Sequence, residues 1–266
     1  MKALGRALAA VVAHHDGLRL RYRQDAAGAW HQSYEAQGPQ ELLWVRHAHD
    51  AAHAEVLCEE AQCSLDLAQG PLLRALVIDG PDGAWRLLLV VHHLVVDGVS
   101  WRVLLEDLRT GYEQAQAQRD VVLPAKTAST KDWALALSAY AGEHGEAEQA
   151  HWASLAGTPV GLPVDRPEGR NTVADQQVVE VRLDEGRTTR LLKEAPAAYR
   201  TQVNDLLLTA LGRALCGWSG HERILVDLEG HGREDLGGVD LSRTVGWFTS
   251  VHPVALAAGG EPGVAL

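Results

Sequence analysis

Two histidines stand side by side in Val91-His92-His93-Leu94-Val95-Val96-Asp97-Gly98-Val99-Ser100-Trp101, where an apolar run ends and an Asp-Gly pair follows. Adjacent side chains of an extended strand face opposite ways. Only one of His92 and His93 can therefore enter a given cavity, while the other packs. An imidazole, with an ordinary pKa of about 6.5, exchanges protons near neutrality. Asp97-Gly98 provides the bend that turns the chain into a helix. A buried pair satisfied by backbone groups is the plain alternative; the Asp-Gly at fixed spacing favours a site.

A second candidate is Asp227-Leu228-Glu229-Gly230-His231-Gly232-Arg233-Glu234. Ile224, Val226 and Leu228 alternate inward, which puts Asp227 and Glu229 on the opposite face at the end of a strand. Gly230 and Gly232 allow a tight turn or a close backbone approach. Alone, this reads as a solvated, charged strand end. A third segment, Ser242-Arg243-Thr244-Val245-Gly246-Trp247-Phe248-Thr249-Ser250, holds the only Phe of the chain. His14-His15-Asp16-Gly17 looks similar to the first candidate, but its residues are contiguous. It reads as a helix end entering an exposed turn, where a cation near the negative end of the dipole is favourable. Metal binding by His92, His93 and His231 is disfavoured, since adjacent histidines facing apart make a poor ligand pair. No metal is expected.

The elements that must position these residues alternate throughout. Leu4, Leu8 and Val11 recur at helical spacing. Leu18–Tyr22, Trp30–Tyr34 and Leu42–Val45 read as short strands, and Ala51–Ala61 as a helix. Two apolar runs, Leu72–Ile78 and Trp85–Val91, flank the turn cluster Asp79-Gly80-Pro81-Asp82-Gly83. The second is continuous rather than alternating, which suits a strand buried on both faces. Val99–Ala117 predicts an amphipathic helix with Val103, Leu104, Leu108 and Tyr112 on its stripe. Ser129 or Thr130 caps a helix holding Trp133, Leu135 and Leu137, and His151-Trp152 lies near the end of another. Pro and Gly crowd residues 157–175, the expected inter-lobe linker. Beyond it come a strand over Val178–Leu183, a helix over Asn204–Trp218 with Leu207, Leu208, Leu211 and Leu215 buried, and strands over Arg223–Leu228 and Thr249–Leu256. The fold class is α+β: two lobes, each a two-layer sandwich, over 1–156 and 176–266, with the second lobe incomplete.

Composition bounds the function. The 266 residues suffice for one large domain or two smaller ones. With 24 Lys+Arg against 35 Asp+Glu, a net charge of −11 and no basic run, a phosphate-tracking nucleic-acid surface is not expected. The apolar stretch near the N-terminus is faintly like a signal peptide, but it is short and no cleavage pattern follows it. No stretch approaches membrane-spanning length. Cys58, Cys63 and Cys216 form no CxxC pair, so a reduced, cytoplasmic protein is expected. Abundant Ala and Gly, with 20 Arg among the 24 Lys+Arg, suggest a GC-rich bacterial genome.

His92-His93-x-x-x-Asp97-Gly98 resembles the HHxxxDG signature of the nonribosomal peptide synthetase condensation superfamily. Glu229-Gly230-His231-Gly232-Arg233-Glu234, Arg243-Thr244-Val245-Gly246-Trp247-Phe248-Thr249 and Ala198–Asp205 resemble the epimerization branch, in motif order over essentially the whole chain. Peptide-bond-forming relatives usually carry a Phe-Val-Asn-Thr type sequence where this chain has Trp247-Phe248-Thr249-Ser250. Family domains are longer, with an aromatic-rich opening motif upstream and an Asn-Tyr pair beyond the last residue here. They usually place an aromatic where His252 precedes Pro253. The chain thus looks like an internal fragment.

The resemblance implies two chloramphenicol-acetyltransferase-like lobes in a V. A tunnel between them would admit the phosphopantetheine arm of a peptidyl carrier protein within a larger synthetase, with no cofactor bound directly. The implied reaction is inversion of the Cα stereocentre of an aminoacyl or peptidyl thioester. It needs a proton removed from one face and returned to the other. His93 and a desolvated Glu229 carry those roles. His92, Asp97, Gly98, Gly230, His231, Arg233 and Trp247 support them, with Asp97 bracing the loop through an Arg or backbone donor. The helix N-terminus after Gly98 offers N–H groups to the enolate. The competing readings are a condensation enzyme and a catalytically inactive remnant that docks a carrier.

Overall fold

The computed structural model describes residues 1–35, 41–80 and 82–259. By packing, the chain divides into two units, Met1–Gly145 with Gly230–Ser250 and Glu146–Glu229 with Val251–Leu266, the latter described through residue 259. The segment 230–250, expected as part of a contiguous second lobe, groups with the first unit.

In the first unit, α1 (Lys2–His14) buries Ala7, Leu8, Val11 and Val12. A short turn leads into the antiparallel pair β1 (Leu20–Gln24) and β2 (Trp30–Tyr34). A three-stranded sheet follows, with β4 (Leu73–Asp79) between β3 (Leu43–His47), which it pairs in parallel, and β5 (Trp85–Val91), which it pairs antiparallel. Strand periodicity divides the β4 side chains between two clusters. Leu73 and Ala75 join α1 and α3 (Gly98–Gln116), whereas Leu76 and Ile78 meet Leu57 and Ala61 of α2 (Ala51–Cys63).

The strand buried on both faces is therefore β4. The expectation placed this burial on β5, but β5 has a single neighbour among the described residues, and Trp85 and Leu87 are exposed. Pro81 of the turn before β5 lies outside the described residues. Around it, the backbone N–H of Gly80 donates to Ala84 and that of Gly83 to Gly80, closing the turn. On α3, Val103, Leu104 and Leu108 are buried as the stripe requires, whereas Tyr112 is 38% exposed. Helix α4 runs unbroken over Thr130–Ser154, where two helices were expected. It opens on a reciprocal cap in which Ser129 Oγ accepts from Asp132 N–H while the Asp132 carboxylate accepts from Ser129 N–H. Trp133 is buried with Leu241 and Phe248, and Leu135 and Leu137 face outward.

In the second unit, helix spans Glu185–Thr189 (α5) and Ala195–Tyr199 (α6), joined by a wider π turn, and α7 covers Val203–Ser219. Strands β6 (Arg223–Gly230) and β7 (Ser250–Ala257) pair with each other. Leu208 and Cys216 of α7 pack with Ile224 and Leu256. On α7, Leu208 is buried and Leu215 packs against the same cluster, as expected, whereas Leu207 and Leu211, also expected inside, are exposed and Gly212 and Cys216 are buried instead. The strand expected over 178–183 does not form. Val178, Val179 and Val181 are exposed, without a ladder partner among the described residues.

Candidate active site

The candidate site is built where β5 ends. His92 N–H donates to the Leu72 carbonyl at 2.9 Å as the last tie to β4. His92 Nδ1 then accepts from Leu94 N–H at 3.2 Å, so its ring serves the turn that begins at His93. Burial, followed by the neighbouring His93, pushes the His92 imidazole below its usual pKa. Val95 and Val96 insert into the core and anchor the turn. His93, by contrast, is exposed. Both histidines lie past the end of β5, so their difference in exposure comes from the turn and not from strand alternation.

Asp97 is the N-cap of α3, and its Oδ1 accepts from Ser100 N–H at 2.7 Å. Its carboxylate also receives the Arg233 guanidinium at 3.1 and 3.2 Å and Phe248 N–H at 3.2 Å. Burial alone would raise this carboxyl, but the Ser100 and Arg233 donors outweigh it and hold it below the usual carboxylate range. Arg233 also donates to the carbonyls of Leu241 at 2.8 Å and Thr244 at 2.9 Å and to Ser100 Oγ at 2.9 Å. It lies over the Phe248 ring at 4.3 Å. One buried guanidinium thus bolts three places of the 230–250 segment to the start of α3.

Ser100, fully buried, completes the joint: its Oγ donates to the Gly246 carbonyl at 2.9 Å and accepts from Gly246 N–H at 3.1 Å. Trp247, between these anchored residues, is 51% exposed, and its ring centroid lies 5.4 Å from that of His93. His231 is exposed, and its Nδ1 accepts from Arg233 N–H at 3.0 Å, turning the chain toward the guanidinium. At Gly232, φ is +63° and a Cβ would fall 1.7 Å from the Phe248 carbonyl oxygen, so no other residue fits. Gly98 differs: its φ is not positive, and a Cβ there would meet nothing within 4 Å. The bend needs no glycine at 98; the open space lies over the first turn of α3. Gly230 is half-buried beside Ser250, and Glu229, in the other unit, is exposed at the end of β6. The desolvation expected for Glu229 is not supplied by the described residues.

The sequence reading missed Ser100, Asp107 and His15. His15 is not in an exposed turn but buried, with Nε2 2.9 Å from Asp107 Oδ2, and Arg243 pairs with the other oxygen of the same carboxylate. Burial lowers the His15 pKa, with Asp107 opposing, so the ring is held toward its neutral form instead of serving as a helix-end cation. The signal that could have found it is the His-His and Asp-Gly composition that His14–Gly17 shares with the first candidate. Among the described residues, the cluster whose ligand-type atoms lie within 4.8 Å of one another is His14, His15 and Asp107, and not His92, His93 and His231.

The condensation-domain family model matches residues 1–262. The chain belongs to the condensation-domain family. It is 40% identical over 92% of its length to tyrocidine synthase 2 of Brevibacillus parabrevis, of which it spans 7%. It is 39% identical over 92% of its length to gramicidin S synthase 1 of Brevibacillus brevis, of which it spans 23%. Among solved structures, the epimerization domain from the third module of tyrocidine synthetase B matches 98% of the chain at 36% identity and a TM-score of 0.84. The chain spans 61% of that structure. The first condensation domain of the calcium-dependent antibiotic synthetase matches at 21% identity and a TM-score of 0.68. The condensation-family domain here thus has the chloramphenicol-acetyltransferase-like fold of nonribosomal peptide synthetase domains that its motifs implied. No described helix is long and apolar enough to cross a membrane.

Proposed function

We propose that this condensation-family domain inverts the Cα stereocentre of an aminoacyl or peptidyl thioester presented on the phosphopantetheine arm of a carrier protein. His93 and Glu229 are the two proton-transfer groups. One takes the α-proton as the C–H bond breaks and the electron pair moves into the thioester enolate. The other gives a proton to the opposite face, and the new C–H bond restores the thioester. Backbone N–H groups at the start of α3, beside the open space at Gly98, are the donors this reading assigns to the enolate oxygen. His93 suits the role because it is exposed at a turn whose other side chains are anchored. Asp97, His92 and Arg233 act by holding it.

The observation that carries the reading, and that favours it over amide formation, is the Glu229 segment. It supplies an exposed carboxylate at the end of β6, in a Glu-Gly-His-Gly-Arg-Glu order that resembles the epimerization branch. The 36% identity to a solved epimerization domain supports the same branch. Carrier-bound substrate would exclude water from both groups and supply the desolvation that Glu229 lacks here.

The test uses the synthetase module that contains this domain, with an aminoacyl thioester loaded on its carrier, in deuterated water. Wild type is expected to exchange the α-proton and scramble the stereocentre, and His93→Ala and Glu229→Gln each to lose about 10²–10⁴-fold in exchange. Full exchange in both variants removes these roles. A new amide without inversion would identify condensation instead, and neither product would identify a remnant.

A further inference from the structure

The residues on either side of Trp247 are held in the core. Gly246, before it, has both backbone groups engaged by the buried Ser100 hydroxyl. A Cβ at 246 would come within 2.8 Å of the Phe248 ring and of Thr130 Cγ2, so that position closes tightly around glycine. Phe248, after it, is buried beneath the Arg233 guanidinium, with its N–H on Asp97. The backbone that carries Trp247 is thus held by buried contacts on both sides, while the ring is 51% exposed with its centroid 5.4 Å from that of His93. The two ring planes are inclined by 58°, so the imidazole does not cover the indole face. Asp97 begins the helix after the His93 turn and also accepts from Phe248 N–H, so one buried carboxylate ties the two backbone segments that carry these rings.

We infer that Trp247 is a specificity-determining residue: its indole forms the apolar wall against which the side chain on the inverted carbon lies. The inference rests on the reading of His93 as a proton-transfer group. A Cα–H within about 3–3.5 Å of the imidazole, approached from the indole side, has its substituents within van der Waals reach of a ring centred 5.4 Å away. Indole offers a large, rigid apolar face with little entropy to lose. Such a wall favours bulky apolar side chains over alanine.

The test compares wild type, Trp247→Ala and Trp247→Phe in the intact module, with carrier-loaded phenylalanyl and alanyl thioesters. The kcat/KM ratio for α-proton exchange, phenylalanyl over alanyl, is expected to fall at least about tenfold in Trp247→Ala and to recover largely in Trp247→Phe. An unchanged thermal midpoint checks that the exposed ring was not holding the fold. Binding of stable, thioether-linked aminoacyl-pantetheine probes is measured in parallel and is expected to weaken for the phenylalanyl probe alone. Equal loss for both substrates, or an unchanged ratio, overturns the inference while leaving inversion standing. If wild type exchanges nothing, the inversion reading falls; equal probe affinities in wild type and Trp247→Ala then overturn the wall as well.

Discussion

Asp97 accepts from Ser100, Arg233 and Phe248, the last two 136 and 151 positions away in sequence, and this explains which parts of the site are legible residue by residue. That Asp97 would brace the start of α3 is the expectation its place between a strand end and a helix start suggests, and its hydrogen bonds are of that kind. That Ser100 is its counterpart is not suggested in this way, because a small hydroxyl on a helix carries no local sign of burial. His15 escapes a local reading for the same reason: its partner Asp107 lies 92 residues along the chain, and the turn around it is solvated only if nothing packs there. Its burial has a measurable consequence. A folded-state pKa below the ordinary 6.5 means that the unfolded chain takes up the proton first as pH falls. The stability contributed by neutral His15 is complete above about pH 6.5 and is lost as pH descends through the folded value. Urea midpoints measured from pH 7.5 to 5.5 should fall for wild type and fall less for His15→Gln, which cannot titrate. Equal slopes in the two proteins would show that the groups around it, His14, Asp107 and Arg243, set the dependence instead.

At the level of elements, periodicity found the helices and most strands but not the number of neighbours each has. Leu87-Leu88-Leu89-Val90-Val91 is as apolar as any stretch in the chain, yet β4 holds the sandwiched position, because burial on two faces depends on what lies above and below. On α7 the helix was legible and its buried face only in part, through Leu208 and Leu215 but not Leu207 and Leu211, since Leu occurs on both sides of the stripe. Turns are similar: two glycines flagged by sequence as bends have opposite physical standing. Gly232→Ala forces a side chain into a positive-φ position and onto the Phe248 carbonyl, and should cost about 1–3 kcal/mol or more in chemical denaturation. Gly98→Ala opens the first turn of α3 with space around it and should be neutral or stabilising by up to about 1 kcal/mol. If Gly232→Ala proves as stable as Gly98→Ala, the close approach of residues 232 and 248 is wrong.

Across the whole molecule, stability must be uneven, because the means of holding backbone in place are. The β4 strand has ladder partners on both sides and side chains buried along nearly its full length. Residues 176–183 have neither, although Val178, Val179 and Val181 are strong strand formers. Propensity alone does not make a strand: its N–H and C=O groups must find a neighbouring edge. Native-state hydrogen exchange should therefore separate the two segments, since exchange without local opening runs at the intrinsic amide rate and exchange from a packed central strand waits for global unfolding. Amides of 178–183 should exchange within the dead time at neutral pH, and those of 73–78 should track the global unfolding free energy. Protection at 178–183 comparable to that of β4 would mean that these valines have found an edge to pair with, and would return this segment to the strand that its alternation predicts.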